Sequence, residues 1–235
     1  MGESDPAPVV TIDGPSGTGK GTVATLLARE LGWHYLDSGA LYRAVAWAAV
    51  QRGIPPEPAR AEELGELARN LAVRFEPTAK GPVRVYVDDT DATGELRSGE
   101  ISEAASRVAA MKPVRDGLLE LQHSFRQEPG LVADGRDMGT VVFPEAPAKL
   151  FLTATPEERA RRRFEQLRDQ GVDVTFDRIK AELAERDERD AKRDAAPLRP
   201  SEGAYVIDTT DISIEEVLAE AHNWVRQCLP ERYPN

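Results

Sequence analysis

Short apolar runs alternate with longer stretches of helical period along most of this chain. The first run, Val9-Val10-Thr11-Ile12, is β-branched and opens onto glycine and polar residues, which predicts a buried strand. Further runs at Trp33–Leu36, Leu131–Ala133, Ala148–Leu152 and Tyr205–Ile207 bring the predicted strands to five. Helices are predicted over Lys20–Leu31, Ala40–Gln51, Pro113–Arg126, Pro156–Gln170, Phe176–Arg193 and Ile214–Cys228, several opened by Ser, Thr or Pro in the first turn. Strands that alternate with helices imply an α/β fold, a parallel sheet covered on both faces.

Residues 54–110 break that alternation. Pro55, Pro56 and Pro58 form a joint, Ala61–Asn70 predicts a helix, and Ala72–Phe75 with Val83–Val87 predicts an antiparallel pair joined through Lys80-Gly81-Pro82. The segment reads as an insert of about 54–110 within a single domain of 9–229. Tails at 1–8 and 230–235 are expected to be loosely held.

In a sheet of this kind ligands collect at the carboxyl ends of the strands. The residues that follow three of the predicted strands are Gly14–Thr22, Asp37–Arg43 and Asp134–Asp137, all polar or glycine-rich. The first is the most telling: Gly14-Pro15-Ser16-Gly17-Thr18-Gly19-Lys20-Gly21-Thr22 joins a strand to a helix. Its glycines allow a tight loop with inward N–H groups, the helix adds its positive end, and Lys20 can reach outer phosphates. A nucleoside triphosphate is the ligand this implies. Gly21 stands where Ser or Thr follows the lysine in the common phosphate loop, leaving Thr22 or Ser16 as candidate neighbours of Mg²⁺.

Size and charge narrow the partners. With 235 residues the chain can bury a substantial core, and no apolar run approaches the roughly 20 residues needed to span a bilayer. A soluble, cytoplasmic protein without a membrane partner is expected. The net charge of −11 argues against general attraction to nucleic acid, so anionic nucleotides must be met by arginines gathered at one place. Cys228 is the single cysteine, and His34, His123 and His222 have no ligand spacing, so a structural metal is not expected.

Three charged groups supply candidate chemistry. Asp37-Ser38-Gly39-Ala40-Leu41-Tyr42-Arg43 puts capping side chains at a helix start and an arginine one turn into it, suited to a second anion. Helix capping by Asp37 and Ser38, and a surface ion pair for Arg43, are the alternatives. In Asp134-Gly135-Arg136-Asp137, Asp134 can order the water around Mg²⁺ and Arg136 can neutralise a phosphate. Arg186, Arg189, Asp190 and Arg193 share a helix face by three-and-four spacing and can close over a nucleotide as a lid of about 170–199. The mixed charges of Pro156–Arg193 otherwise read as a solvated face laced with ion pairs.

Together these motifs resemble the bacterial cytidylate kinase family from Val9 to about Val225. The phosphate loop is shared with many monophosphate kinases, whereas DSGALYR, ADGRDMGTVVFP and ERDERDAKR are similar to this family in particular. The resemblance implies a P-loop kinase core with a five-stranded parallel sheet, an inserted monophosphate-binding subdomain and a short lid. It implies that Gly14–Thr22 bind ATP and that Arg43, Arg136 and Arg193 hold the acceptor phosphate, with Lys20, Arg136 and Arg193 carrying catalysis. It also implies that Ser106, Arg115 and Asp137 read cytosine, that Arg186 and Asp190 meet the pentose, and that Ser38 lies beside the acceptor.

Cytosine chemistry agrees with that assignment. A carboxylate such as Asp137 accepts from the N4 amino group and a guanidinium such as Arg115 donates to N3 and O2, whereas uracil would set like against like. The expected reaction is transfer of the γ-phosphoryl group of ATP to CMP or dCMP with Mg²⁺, by a monomer. The acceptor is already ionised, so no general base is needed. A UMP-preferring kinase or a regulatory ATPase are the other readings, the latter lacking a guanine-reading NKxD segment.

Overall fold

The computed structural model describes residues 6–76, 83–193 and 196–232. In chain order the elements begin with β1 (Val9–Asp13), α1 (Lys20–Leu31), β2 (His34–Asp37), α2 (Ser38–Gln51) and α3 (Ala61–Asn70). Next come β3 (Val73–Glu76), β4 (Arg84–Val87), β5 (Thr90–Asp91), α4 (Gly99–Val108) and α5 (Lys112–Ser124). The chain continues through β6 (Leu131–Gly135), β7 (Ala148–Thr153), α6 (Pro156–Asp169), α7 (Phe176–Ala191), β8 (Tyr205–Asp208) and α8 (Ile214–Cys228). A π-helical turn, Met138–Val142, follows β6. Two compact units result: Met1–Leu36 with Ser124–Asn235, and Asp37–His123.

The first unit holds a five-stranded parallel sheet in the order β2-β6-β1-β7-β8. Every residue of β1 and β6 is buried, as strands covered on both faces require. In register, Val9 to Asp13 face Leu131 to Gly135 on one side, and Val10 to Asp13 face Ala148 to Phe151 on the other. Leu27 of α1 and Val217, Ala221 and Val225 of α8 pack with Val10, Ile12, Val132, Leu150 and Leu152 of the sheet in one apolar cluster. Leu27 is fully buried, so Leu27→Ala costs about 2–5 kcal/mol. Helix α8 starts at a capping box in which Ser213 and Glu216 satisfy each other's backbone N–H groups. Cys228 sits half-buried at its end, where burial pushes the thiol pKa up.

The second unit pairs β3 with β4 and β4 with β5 in an antiparallel sheet, alongside α2 to α5. Helix α2 is buried over most of its surface, which its alanine-rich sequence allows. The unit extends beyond the expected insert of 54–110 because α5 packs on α3: a Cβ on Gly117 would stand 2.6 Å from the Gly65 carbonyl oxygen.

Helix and strand limits match expectation to within a residue or two where an element was expected, but the short strand β5 was not. Helix α4 was not foreseen, although Ser98 caps it and Ile101, Ala104, Ala105 and Val108 repeat at helical spacing on its buried face. Of the expected tail at 1–8 only its last three residues are described, and two of these are held: Ala7 is buried, its carbonyl accepts from Arg126 Nε, and Pro8 O accepts from Leu131 N. At the other end Pro230–Arg232 form a turn of 3₁₀ helix. The expected loop at Lys80-Gly81-Pro82 lies outside the described residues.

Candidate active site

The loop after β1 is built so that only glycine fits its corners. Gly14 has φ +151° and a Cβ there would lie 2.1 Å from the Leu152 carbonyl oxygen; Gly17 has φ +84° and presses on Arg159. Thr18 Oγ1 donates to Pro15 O at 3.1 Å, and Lys20 Nζ donates to the same carbonyl at 3.2 Å. From outside the loop, Arg159 Nη1 donates to Ser16 O at 3.2 Å and Thr209 Oγ1 to Thr18 O at 3.1 Å. Helix α1 then begins at Gly19 with no side-chain cap and no acidic residue in its first turn. Its opening N–H groups and positive dipole end are therefore available to an anion.

Gly21 has a reason of its own. A Cβ there would come within 3.1 Å of Asp134 Oδ2, so the missing side chain makes room for a carboxylate beside the cradle. Asp134 is 6 % exposed and also receives the Tyr35 hydroxyl at 3.4 Å. Thr22, the other expected metal neighbour, is exposed on α1, and Ser16 Oγ is taken as an acceptor by Arg136. Among the described residues no group of three or more His, Cys, Asp or Glu gathers for a metal ion. One carboxylate beside a phosphate cradle suits Mg²⁺, which keeps waters and shares nucleotide phosphates.

A buried charge cluster stands against the same loop. Asp190 of α7 has no exposed surface, and its two oxygens accept from Arg136 Nε at 2.9 Å and from Arg193 Nη2. Arg136 also donates to Ser16 Oγ at 2.7 Å, which ties the cluster to the cradle. Burial alone would raise the Asp190 pKa, but Arg136, Arg193 and Arg186 outweigh it and hold the carboxyl below its usual value. Asp190, expected at the pentose, is thus also the fixed anion that sets two arginines side by side. Asp137, 2 % exposed, is the N-cap residue of the π-helical turn.

The remaining expected residues lie in the second unit. Asp37 caps α2 by accepting from Ala40 N, and its other oxygen takes Arg43 Nη2 at 2.8 Å, so the capping reading and the ion-pair reading both hold. Ser38 is buried at the start of α2 and Ser106 is buried on α4. Arg115, 8 % exposed on α5, donates to Ala109 O at 3.3 Å and places its guanidinium 5.8 Å from the centre of the Tyr42 ring.

Two features escaped the sequence reading. Arg159 is 5 % exposed, underpins Gly17 and pairs with Asp187 of α7 at 2.6 Å, so it is no part of a solvated face. Its neighbours behave as expected, with Arg161 and Arg162 paired to Glu158 along the helix. A cavity of about 510 Å³ also opens beside the cradle, lined by Gly19, Arg161, Arg162, Thr209, Ser213 and Ile214. Only the fold brings the start of α6 to the turn after β8, and no linear motif announces it.

Comparison with known proteins gives a consistent result. The cytidylate kinase family profile matches residues 10–227. A cytidylate kinase of Shewanella sp. strain MR-4 is 54 % identical over 96 % of this chain and 98 % of its own length. That of Shewanella putrefaciens strain CN-32 is 53 % identical over the same shares. Among solved structures, TT1252 from Thermus thermophilus aligns over 95 % of this chain and 98 % of its own at TM-score 0.47 and 21 % identity, too distant to bear on substrate. With the profile spanning nearly the full length and relatives above half identity, the chain belongs to the cytidylate kinase family.

Proposed function

We propose that this protein transfers the γ-phosphoryl group of ATP to CMP or dCMP, giving ADP and CDP or dCDP. The observation that carries the reading is the 2.7 Å bond from Arg136 to Ser16: a half-buried arginine, joined to Arg193 through Asp190, meets the phosphate loop itself. The cradle N–H groups, the start of α1 and Lys20 hold the donor phosphates, and the cavity beside Gly19 takes the donor's nucleoside. Arg136, Arg193 and Arg43 hold the acceptor phosphate, while Ser38, Arg186 and Asp190 orient its nucleoside. Asp137, Arg115 and Ser106 read the base, with Asp137 accepting from the cytosine amino group.

Charge spreads over the transferred group in the transition state, and fixed cations meet it there without having to reorganise. The acceptor oxygen is ionised before it reacts, so alignment replaces proton abstraction. Asp134, with Thr22 at the loop, would hold Mg²⁺, which neutralises phosphate charge when bound. Helix α7, carrying Arg186, Asp190 and Asp187, serves as the lid side of the site. No helix among the described residues is long and apolar enough to cross a membrane, and we take the reaction to be cytoplasmic.

A coupled assay of ADP release over CMP, dCMP, UMP, AMP and GMP tests the proposal. CMP and dCMP should stimulate release most and UMP less, because uracil leaves buried polar groups mismatched. Stimulation by none of the five would make the protein a nucleotide-binding regulator, and a UMP preference would overturn the base assignment.

A further inference from the structure

Asp13 is the last residue of β1, directly before the first glycine of the cradle. Its carboxylate does not serve the cradle. It is 2 % exposed, and Oδ1 accepts the N–H of Met138 at 2.9 Å while Oδ2 accepts that of Gly139 at 2.8 Å. The backbone ladder between β1 and β6 ends at Asp13 opposite Gly135, and the Asp13 side chain carries the connection on into the next turn. Met138 and Gly139 open the π-helical turn, so their N–H groups are among those a helix start leaves without an internal partner.

The packing around this contact is close. A Cβ on Gly139 would lie 2.8 Å from Thr11 Oγ1 and from Ser201 Oγ, and 3.4 Å from Asp13 Oδ2. The turn therefore rests on the face of β1 that Thr11 and Asp13 share. Holding a carboxylate here is costly. Burial raises the Asp13 pKa, the N–H groups of Gly139 and Met138 oppose that, Asp137 and Asp134 add to it, and the result is about 7. A purely structural contact is served at lower cost by a neutral acceptor.

We infer that Asp13 is a positioning residue for acceptor recognition: by gripping Met138 and Gly139 from the strand that ends in the cradle, it fixes the backbone from which Asp137 and Arg136 project. The inference rests on the reading that Asp137 meets the acceptor base. The cradle has anchors of its own, from Arg159 to Ser16 and from Thr209 to Thr18. Loss of the Asp13 carboxylate accordingly displaces the turn and spares the donor loop.

The test is steady-state kinetics of the full chain, the Asp13→Asn and Asp137→Ala variants and the double variant, with CMP, UMP and ATP each varied in turn. Asparagine fits the space but turns an amino group toward one of the two N–H donors. At pH 8, where Asp13 is ionised, Asp13→Asn should raise the KM for CMP about tenfold, the effect of losing one charged hydrogen bond, narrow the preference for CMP over UMP, and leave the KM for ATP near the parent value. In the double variant the loss of preference should not exceed that of Asp137→Ala alone, because one residue acts through the other.

An equal loss on ATP and CMP, or full additivity in the double variant, overturns the inference. Preference lost in Asp137→Ala but kept in Asp13→Asn overturns it alone, whereas preference kept in Asp137→Ala removes the base-reading role of Asp137 and this inference with it. Should Asp13→Asn fail to fold, Gly139→Ala leaves the carboxylate in place and lifts the turn off β1, because its Cβ would stand 2.8 Å from the buried Thr11 Oγ1. The same shift in preference is expected of it, and an unchanged preference again overturns the inference.

Discussion

Replacing Asp190 with asparagine removes the carboxylate charge that Arg136 and Arg193 share. The side chains of Arg136 and Arg193 are only 14 % and 5 % exposed, and that of Asp190 not at all, so water cannot take over from the carboxylate. Removing one partner of such a buried pair costs about 3–5 kcal/mol. At roughly 2–4 °C per kcal/mol for a chain of this size, Asp190→Asn should lower the Tm by about 6–20 °C at neutral pH. The arginines hold the folded pKa of Asp190 below the unfolded value, so its contribution is present in full above the ordinary aspartate pKa. It is lost only as pH falls through the lower folded value. Thermal scans of both proteins from neutral to acid pH should therefore show a gap that persists down to the aspartate range and then closes. Inorganic phosphate should restore part of the lost stability, since an anion seated between the guanidiniums replaces the carboxylate. A Tm within a couple of degrees of the parent, with no effect of phosphate, would mean that Asp190 does not hold the two arginines together.

Other perturbations address separate parts of the account. Lys20→Ala should reduce kcat by about 10²–10³-fold, the effect of losing one preorganised cation or donor; a near-normal rate would remove Lys20 from catalysis. Gly21→Ser places a Cβ about 3.1 Å from Asp134 Oδ2, so the Mg²⁺ concentration for half-maximal rate should rise severalfold, and an unchanged requirement would separate Asp134 from the metal. Because the Asp13 pKa is raised to about 7, the folded state keeps a proton that the unfolded chain has lost, and stability falls as pH rises from the usual aspartate value toward 7. The decline is about 4 kcal/mol from three units at 1.36 kcal/mol each, and pH-dependent denaturant melts should show it in the parent and not in Asp13→Asn.

The strands and most helices were legible because each carries its signal locally. β-branched runs end at glycine or polar residues, and α1 and α8 begin and end where their caps and glycines say they should. Helix α4 carried a readable signal in Ser98 and the spacing of Ile101, Ala104, Ala105 and Val108, but it follows short strands in a segment whose period changes quickly. Contacts between distant residues were the illegible part. Nothing in the sequence near Asp13 shows that its carboxylate meets residues 125 and 126 positions away. Arg159 shares its helix with paired surface arginines, and only the fold reveals that it alone turns under Gly17. Asp190 was visible as a member of a charged face, whereas its position between Arg136 and Arg193 depends on α7 lying against the end of β6.

Phosphorus NMR of ATP and CMP incubated with the protein and Mg²⁺ follows the transferred phosphoryl group itself. ADP and CDP should form in equal amounts with no inorganic phosphate released. ADP accompanied by inorganic phosphate, with CMP left unchanged, would contradict transfer to CMP.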